Sequence, residues 1–239
     1  MVVLDHVLYW LGIAGTGIDA LLLARVLQLR LQRTYLFITL ACVLSLFFDG
    51  VQLWLAKDDV GNARVFLYSR LLWAFVYPLV AWDVFEEMRP QIAKLRRAAT
   101  ARLVSGLFFA ALFGFIMTLV VNSDQEHADT TGVLSIILWA GSCTASLAFL
   151  LSLQRALKAQ QLLRPNNTAV WLVFYELTLV AEIVACFGEV VTSVMRETTA
   201  LDALNICLMI YGIAITVWCA VRLRRIPGDL ASPAKADAS

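Results

Sequence analysis

Long apolar blocks separated by short polar stretches divide the chain into seven segments, each of roughly the 20 residues that a membrane-spanning helix needs. The blocks fall at about residues 7–29, 35–56, 64–86, 103–121, 130–154, 168–194 and 203–221. The fourth, LVSGLFFAALFGFIMTLVV, contains no charged residue. This pattern predicts an all-α, polytopic membrane protein, a bundle of seven transmembrane helices that are called spans 1 to 7 here.

Basic residues alternate between successive loops, and this alternation predicts the orientation of the chain. The loops after spans 1, 3 and 5 and the C-terminal segment hold fourteen of them: Arg30, Arg33, Arg89, Lys94, Arg96, Arg97, Arg102, Arg155, Lys158, Arg164, Arg222, Arg224, Arg225 and Lys235. The loops after spans 2, 4 and 6 hold only Lys57, Arg64 and Arg196. Because cytoplasmic loops carry the excess of Lys and Arg, we expect the N-terminus outside and the C-terminus in the cytoplasm.

Composition agrees with a membrane protein and argues against several other classes. Of the 239 residues, 61% are hydrophobic and 15% are charged, whereas soluble domains are about half apolar and about a quarter charged. This high apolar content predicts that the protein is surrounded by a lipid bilayer. The net charge of +1 gives no reason to expect a nucleic-acid partner. The five cysteines lie inside apolar blocks without CxxC spacing, so we expect neither a disulfide framework nor a metal centre.

The domain organisation is expected to be simple. Residues 1–225 form the seven-helix domain, and residues 226–239, rich in Ala, Pro, Ser and Asp, form a flexible cytoplasmic tail. The start, MVVLDHVLYW, has no positively charged leader, which argues against a cleaved signal peptide.

Small residues spaced four apart predict where spans approach each other closely. Span 4 carries Gly106, Ala110 and Gly114 at this spacing, and span 5 carries Gly141 and Ala145. In membranes such residues allow two helix backbones to come close together.

Charged side chains inside the apolar blocks are the candidates for a functional site. They are Asp19 in span 1, Asp49 in span 2, Arg70 in span 3, and Glu176, Glu182 and Glu189 in span 6. A charge at the bilayer centre costs a few kcal/mol, so such residues usually face the bundle interior. Glu182 and Glu189 are seven residues apart and share a helix face to within about 20°, whereas Glu176 points roughly 120° away from Glu182.

Depth and charge balance predict how these groups combine. Asp19 and Glu182 lie near the middle of their spans. Asp49, Arg70 and Glu189 lie in the outer third, and Glu176 lies nearer the cytoplasmic side. Arg70 can neutralise one or two acids, and Asp49 and Glu189 are at matching depth. We therefore expect an internal polar cavity, open to the outer side, in which these residues, apart from Glu176, bind a ligand or protons. The alternative is that the polar side chains only hold helices together, each contributing about 1 kcal/mol.

The acids at the end of span 3 are interpreted differently. Asp83, Glu86 and Glu87 crowd the inner end of span 3 and precede a basic loop. We expect them at the inner interface of the membrane, either paired with Arg89 or solvated.

No catalytic residue, metal site or cofactor is expected. The only histidines are His6 and His127, and the acidic loop around His127 shows no known metal-ligand spacing. The chain contains no GxSxG, HExxH, Walker or kinase motif, so we expect no enzyme. Span 7 lacks the lysine that a retinal protein needs for its Schiff base.

Three stretches carry a resemblance to known proteins: RTYLFITLACVLSLFFDGVQLWL, FLYSRLLWAFVYPLVAWDVFEEM with the basic loop after it, and RPNNTAVWLVFYELTLVAEIVA. The chain resembles a family of bacterial seven-helix membrane proteins to which no activity is assigned. Its layout is also similar to the seven-helix sensory regions that precede bacterial histidine kinases, although no kinase portion is present. The resemblance implies a multi-pass protein of the bacterial inner (plasma) membrane.

Two classes of function remain open. The first is a receptor-like or accessory membrane protein, whose outward polar pocket is coupled to a basic cytoplasmic face that meets a cytoplasmic or membrane protein partner. The second is a small proton- or cation-coupled transporter that uses Glu182 and Asp19 near the middle of the membrane. The ligand and the oligomeric state do not follow from the sequence.

Overall fold

The computed structural model describes residues 2–55, 59–88, 101, 104–108, 130–159, 166–195 and 198–226. Six long α-helices and no strand are found within these residues. The helices are α1 (Val2–Gln28), α2 (Leu36–Trp54), α3 (Asp59–Met88), α4 (Thr130–Ala159), α5 (Asn166–Met195) and α6 (Thr198–Arg222), with a short 3-10 helix, Leu31–Arg33, between α1 and α2. By length and composition all six could cross a membrane, which is the architecture of a multi-pass membrane protein.

The predicted all-α fold is confirmed in the described residues, and six of the seven predicted spans match a helix. Spans 1 to 3 correspond to α1 to α3, and spans 5 to 7 correspond to α4 to α6. Span 4 lies mostly outside the described residues, but 104–108 are described as helix. Of the predicted tail, 226–239, only Ile226 is described.

The bundle has two ends. The end at which α1, α3, α4 and α6 begin is called the amino end of the bundle here, and the end at which α2 and α5 begin is called the carboxyl end. Helices α3 and α4 run side by side in the same direction, because Arg70 lies over Trp139 near their starts and Phe85 packs against Phe149 further along. Their interface is the most extensive between any two described helices.

Pro78 lies inside α3 and removes one of its backbone hydrogen bonds, and a side chain of α4 replaces that bond. Because proline has no backbone N–H, the carbonyl of Ala74, four residues earlier, loses its helical hydrogen bond. The hydroxyl of Ser142 on α4 donates to this carbonyl. A polar side chain from a neighbouring helix is a usual way to satisfy a freed carbonyl inside a membrane protein.

A close approach between small residues also joins the described part of span 4 to α4. A Cβ atom added to Gly106 would lie 3.2 Å from the Cβ of Ala145. The prediction that Gly106 and Ala145 each lie at a close helix contact is therefore confirmed, while Ala110 and Gly114 fall outside the described residues.

The start of α2 is capped by a side chain from another helix. One carboxylate oxygen of Asp83, on α3, accepts hydrogen bonds from the backbone N–H groups of Phe37 at 2.5 Å and Ile38 at 2.9 Å. Such N–H groups have no partner inside their own helix, and the N-cap residue Tyr35 supplies no side-chain cap. Asp83 is only 7% exposed. The expectation that it would be solvated at the interface is therefore wrong, and Arg89 lies outside the described residues.

Further hydrogen bonds join helix ends at the carboxyl end. Glu87 accepts hydrogen bonds from the hydroxyls of Tyr35 and Thr168, which connects α3 to the starts of α2 and α5. The side chain of Asn167 donates to the carbonyl of Arg224 at 2.6 Å and accepts from its N–H at 2.9 Å, which connects α5 to the end of α6. Like Asp83, Glu87 is partnered inside the bundle and is not simply a solvated interface residue.

The hydrophobic core is concentrated toward the same end. Large side chains that are at most 1% exposed include Val26, Leu31, Tyr35, Phe85, Met88, Leu157, Trp171, Leu172 and Leu223. All of them lie in the half of their helix, or in the adjoining connection, that is nearer the carboxyl end. The bundle is therefore closely packed at this end.

Candidate functional site

A cavity of about 410 Å³, called the deep cavity here, lies among the middle parts of five helices. Helices α1, α2, α3, α5 and α6 all contribute to its wall. Among the described residues, the wall includes three acidic side chains, Asp19, Asp49 and Glu182, and no Lys, Arg or His. Because helices that pack fully leave no such space, these acids face an internal volume.

Asp19 and Asp49 meet across the interface between α1 and α2. Their carboxyl groups are hydrogen-bonded to each other, and the hydroxyl of Ser45 donates to Asp19 at 2.6 Å. This contact places two acidic side chains next to each other in the wall of the deep cavity.

Glu182 lies on the opposite wall of the deep cavity, on α5. The hydroxyl of Tyr77, on α3, donates to it at 2.7 Å. The ring of Tyr77 stacks on that of Trp73 with their centroids 5.2 Å apart. These contacts hold the Glu182 carboxyl at the cavity wall, beside an aromatic surface.

A second cavity of about 940 Å³, called the end cavity here, adjoins the deep cavity toward the amino end. The two cavities share Ser45, Asp49, Trp73 and Glu182 in their walls. Most further polar side chains of the end cavity come from residues near the amino end of the bundle, and Thr16 comes from the middle of α1: Tyr9, Thr16, Gln52, Asn62, Ser69, Arg70 and Asn205. A polar path therefore leads from the amino end to the acids in the middle of the bundle.

Arg70 is the basic residue in the wall of the end cavity. Its guanidinium group lies over the ring of Phe66 at 3.8 Å and the ring of Trp139 at 4.6 Å. An arginine on an aromatic face is stabilised by the ring quadrupole, by about 2 kcal/mol where water is excluded. Arg70 is 5% exposed, so these two rings hold its charge inside the bundle.

Four of the five predicted site residues line these cavities: Asp19, Asp49, Arg70 and Glu182. The fifth, Glu189, belongs to α5, but its side chain is outside the described residues. Glu176, which was expected to face elsewhere, lines neither cavity and accepts a hydrogen bond from Gln154 of α4 at 3.4 Å.

The sequence reasoning missed the neutral members of the site. Ser45 precedes Asp49 by four residues, and Trp73 and Tyr77 follow Arg70 by three and seven residues. These spacings place side chains on one helix face. The signal was therefore present, but serine and aromatic residues are common in spans and carry no charge that would single them out.

Comparisons with protein-family models, curated proteins and solved structures find no match to this chain. The function of this protein is therefore inferred from the geometry of the two cavities.

Proposed function

We propose that this protein is a receptor-like or accessory integral membrane protein that accepts a ligand from the outer side into its connected cavities. The observation that carries this proposal is the contrast between the bundle's ends. Polar side chains line a path inward from the amino end, while buried hydrogen bonds and fully buried side chains close the carboxyl end. In this proposal a basic cytoplasmic face, at the carboxyl end, meets a protein partner.

The distribution of charge supports this orientation. Described basic residues at the carboxyl end are Arg25, Arg30, Arg33, Arg155, Lys158, Arg222, Arg224 and Arg225. Such an excess is typical of the cytoplasmic side. The amino end, with the end cavity, would then face outward in the inner membrane of a bacterium, as the family resemblance implies.

The direction of the helices supports seven spans. Because α3 and α4 run in the same direction, α3 ends at the carboxyl end and α4 begins at the amino end. In the proposed topology span 4 lies between them in sequence, and the uncharged block 103–121 has the length that a membrane span needs.

Thiol labelling tests the outward opening. Cys207 is first replaced by serine, because it is the exposed member of the free cysteines in the described residues. In this background, Asn205→Cys should react with an impermeant maleimide added to intact cells. The matched variant Arg224→Cys, at the carboxyl end, should react only after the cells are permeabilised. The reverse pattern would contradict the proposed orientation.

Mass spectrometry of the purified protein tests whether the cavity holds a ligand. A small molecule should co-purify with the wild type and be lost from Glu182→Gln.

A receptor-like role further predicts that one cytoplasmic or membrane partner is captured by cross-linking at the basic face. Ligand occupancy should change the yield of this cross-linked complex. A yield that is independent of both ligand and Glu182 would count against a receptor-like role.

A proton- or cation-coupled transporter is the second candidate, and the hydrogen-bonded pair of Asp19 and Asp49 favours it. Two carboxyl groups in contact in the middle of a bundle are the type of group that proton relays use. In proteoliposomes with an imposed pH gradient, a transporter should show accumulation or counter-flow that Glu182→Gln abolishes. The receptor-like proposal predicts binding without accumulation.

A further inference from the structure

Two buried hydroxyl groups in the wall of the deep cavity have no hydrogen-bond partner among the described residues. They belong to Tyr175 on α5, which is 4% exposed, and to Thr216 on α6, which is 8% exposed. The other hydroxyl groups of this wall, on Ser45, Tyr77 and Thr178, each donate to a partner inside the bundle. Because buried polar groups in folded proteins are nearly always hydrogen-bonded, the two exceptions indicate a missing partner.

Both hydroxyl groups reach the cavity. Neither oxygen belongs to the fully enclosed, unpartnered polar atoms of the described residues, so each keeps some accessible surface. Because Tyr175 and Thr216 are almost wholly buried and line the deep cavity, that surface faces the cavity.

The position of these hydroxyl groups within the deep cavity follows from the residues that line it. On α5, the lining residues nearest the carboxyl end are Phe174 and Tyr175, and on α6 the one nearest that end is Thr216. None of the three lines the end cavity. Tyr175 and Thr216 therefore mark the part of the deep cavity that is farthest from the end cavity, which is called the floor here.

The chemistry of the floor suits an uncharged oxygen acceptor. Each hydroxyl has one proton to donate, and an ammonium group has no lone pair that would accept it. A carboxylate or a phosphate can accept it, but no Lys, Arg or His among the described residues lines the deep cavity to balance the charge of such a group. The oxygen of a carbonyl or hydroxyl group accepts hydrogen bonds without carrying a charge.

The surroundings of the floor indicate the rest of the ligand. Phe174 and Ile215, next in sequence to the two hydroxyl-bearing residues, also line the deep cavity and are apolar. Tyr175 precedes Glu182, which lines both cavities, by seven residues, a distance of about 10 Å along α5. The volume of about 410 Å³ falls within the range of small-molecule sites. A small molecule with an apolar body therefore fits between the floor and the end cavity.

We propose that the deep cavity binds an uncharged small molecule that has a carbonyl or hydroxyl oxygen at its leading end and an apolar body. The oxygen accepts hydrogen bonds from Tyr175 and Thr216 at the floor, and the body lies against Phe174 and Ile215. This inference rests on the proposed function, because the ligand enters through the end cavity, and it adds the class of ligand to it.

The test uses two uncharged probes of the same shape. Benzylacetone carries a ketone, and in its hydrocarbon analogue a methylene group replaces the ketone oxygen. Binding of each radiolabelled probe to the full-length protein in nanodiscs is measured above its binding to empty nanodiscs, which removes the contribution of partition into lipid. Each affinity is then compared with that of the same probe for a variant.

Two variants remove one hydroxyl group each and change the shape of the side chain very little. Tyr175→Phe and Thr216→Val should each weaken binding of the ketone about fivefold, because one hydrogen bond is lost, and should change binding of the hydrocarbon less than about twofold. Thr216→Ser keeps the hydroxyl and should retain the wild-type preference for the ketone. Tyr211→Phe and Thr144→Val, at residues that line neither cavity, should bind both probes as the wild type does. Unchanged ketone binding in both Tyr175→Phe and Thr216→Val would overturn the proposal and leave water alone as the partner of these hydroxyl groups.

Infrared spectroscopy of isotope-labelled benzylacetone gives a second measurement that does not depend on the folding of a variant. Hydrogen bonds donated to a carbonyl oxygen weaken the C=O bond. The ketone band of the probe bound to the wild type should therefore lie at a lower wavenumber than the band in empty nanodiscs, and Tyr175→Phe with Thr216→Val should abolish this shift. An unshifted band in the wild type would overturn the proposal.

The outcome can be separated from that of the proposed function. If Asn205→Cys is labelled from outside but the two hydroxyl groups make no difference to binding of the ketone, the ligand class is wrong and the outward-facing cavity stands. If Asn205→Cys is not reached from outside, the proposed function fails whatever the probes do.

Discussion

The two ends of the bundle differ in how they treat their polar groups. At the carboxyl end, Asp83 and Glu87 each accept hydrogen bonds from two groups on neighbouring elements, within a densely packed core. At the amino end and in the middle, Asp49, Glu182 and Arg70 line open volume. The polar groups at one end therefore hold helices together, and those at the other end line the two cavities.

This difference teaches that a charged residue inside an apolar block does not by itself indicate a binding site. Asp83 and Asp49 are both acids near the end of a span, yet one caps a helix and the other faces a cavity. They differ in what the carboxyl group faces. Asp83 faces the backbone N–H groups at the start of α2, and Asp49 faces the deep cavity. Substitutions at the two ends should therefore have effects of different size.

The largest effect is expected for Trp171→Ala at the carboxyl end. Trp171 is fully buried and packs against the rings of Tyr35, Phe174 and Tyr175. Its removal leaves a large void, which should lower the free energy of unfolding by about 3 kcal/mol or more. Unfolding by sodium dodecyl sulfate in mixed micelles measures this loss. Trp54→Ala, at a side chain that is 83% exposed, should stay within about 0.5 kcal/mol of the wild type. Similar losses in both variants would contradict the contrast between the ends.

The next largest effect is expected for Asp83→Ala. Two backbone N–H groups at the start of α2 lose their acceptor, which should cost about 2 kcal/mol in the same unfolding assay. Asp83→Asn keeps one acceptor oxygen and should cost less. If both variants unfold like the wild type, Asp83 does not act as a cap.

Tyr35 gives the carboxyl end a dependence on pH. Burial, and after it the nearby charge of Glu87, raises the pKa of Tyr35 well above its usual range. Because its pKa is higher in the folded state, the stabilisation is fully present below about pH 10 and declines as the pH rises further. Between about pH 9 and about pH 11, the wild type should lose about 1 kcal/mol more stability than Tyr35→Phe. Tyr68→Phe, at an exposed position, serves as the control and should follow the wild-type profile.

A smaller effect is expected for the pairing of Arg70 with Glu189. The sequence places them at matching depth, and a shared contact should give a coupling of about 1 kcal/mol in a cycle of Arg70→Ala, Glu189→Gln and the double variant. The measurement is the unfolding free energy of all four proteins. Strictly additive losses would show that the two side chains do not interact.

The smallest effect concerns two glycines. A Cβ atom on Gly188 would lie 2.1 Å from the Cδ2 atom of Leu204, so Gly188→Ala must displace that side chain and should cost about 1 kcal/mol. Gly212→Ala meets nothing within 4 Å and should leave stability unchanged or slightly higher. Thermal unfolding in detergent distinguishes the two. Equal shifts would indicate that α5 and α6 are less closely packed near the amino end than described here.

Several features followed from the sequence because they depend on local patterns. Apolar blocks predicted helices at the right places for six spans, and four-residue spacing predicted that Gly106 and Ala145 each lie at a close helix contact, although not that they meet each other. Depth and helix face selected Asp19, Asp49, Arg70 and Glu182, which the structure brings to connected cavities. Ligand binding by these residues stays a prediction.

Other features depend on which helices are neighbours, and no local pattern contains that information. The cap that Asp83 provides to α2 and the contact of Glu87 with Thr168 each join residues from different helices. The pairing of Tyr77 with Glu182 is of the same kind. A single sequence shows the face on which each side chain lies, but it does not show which helix lies opposite.

The hydrogen bond from Ser142 to the carbonyl freed by Pro78 has a mechanical consequence. It joins α3 and α4 beside Pro78, the type of position at which helices bend, so bending α3 there would also require α4 to move or the bond to break. The two helices should therefore move as one rigid unit. Any motion that carries a signal or a substrate between the ends would then come from α1, α2, α5 and α6 sliding or tilting against α3 and α4.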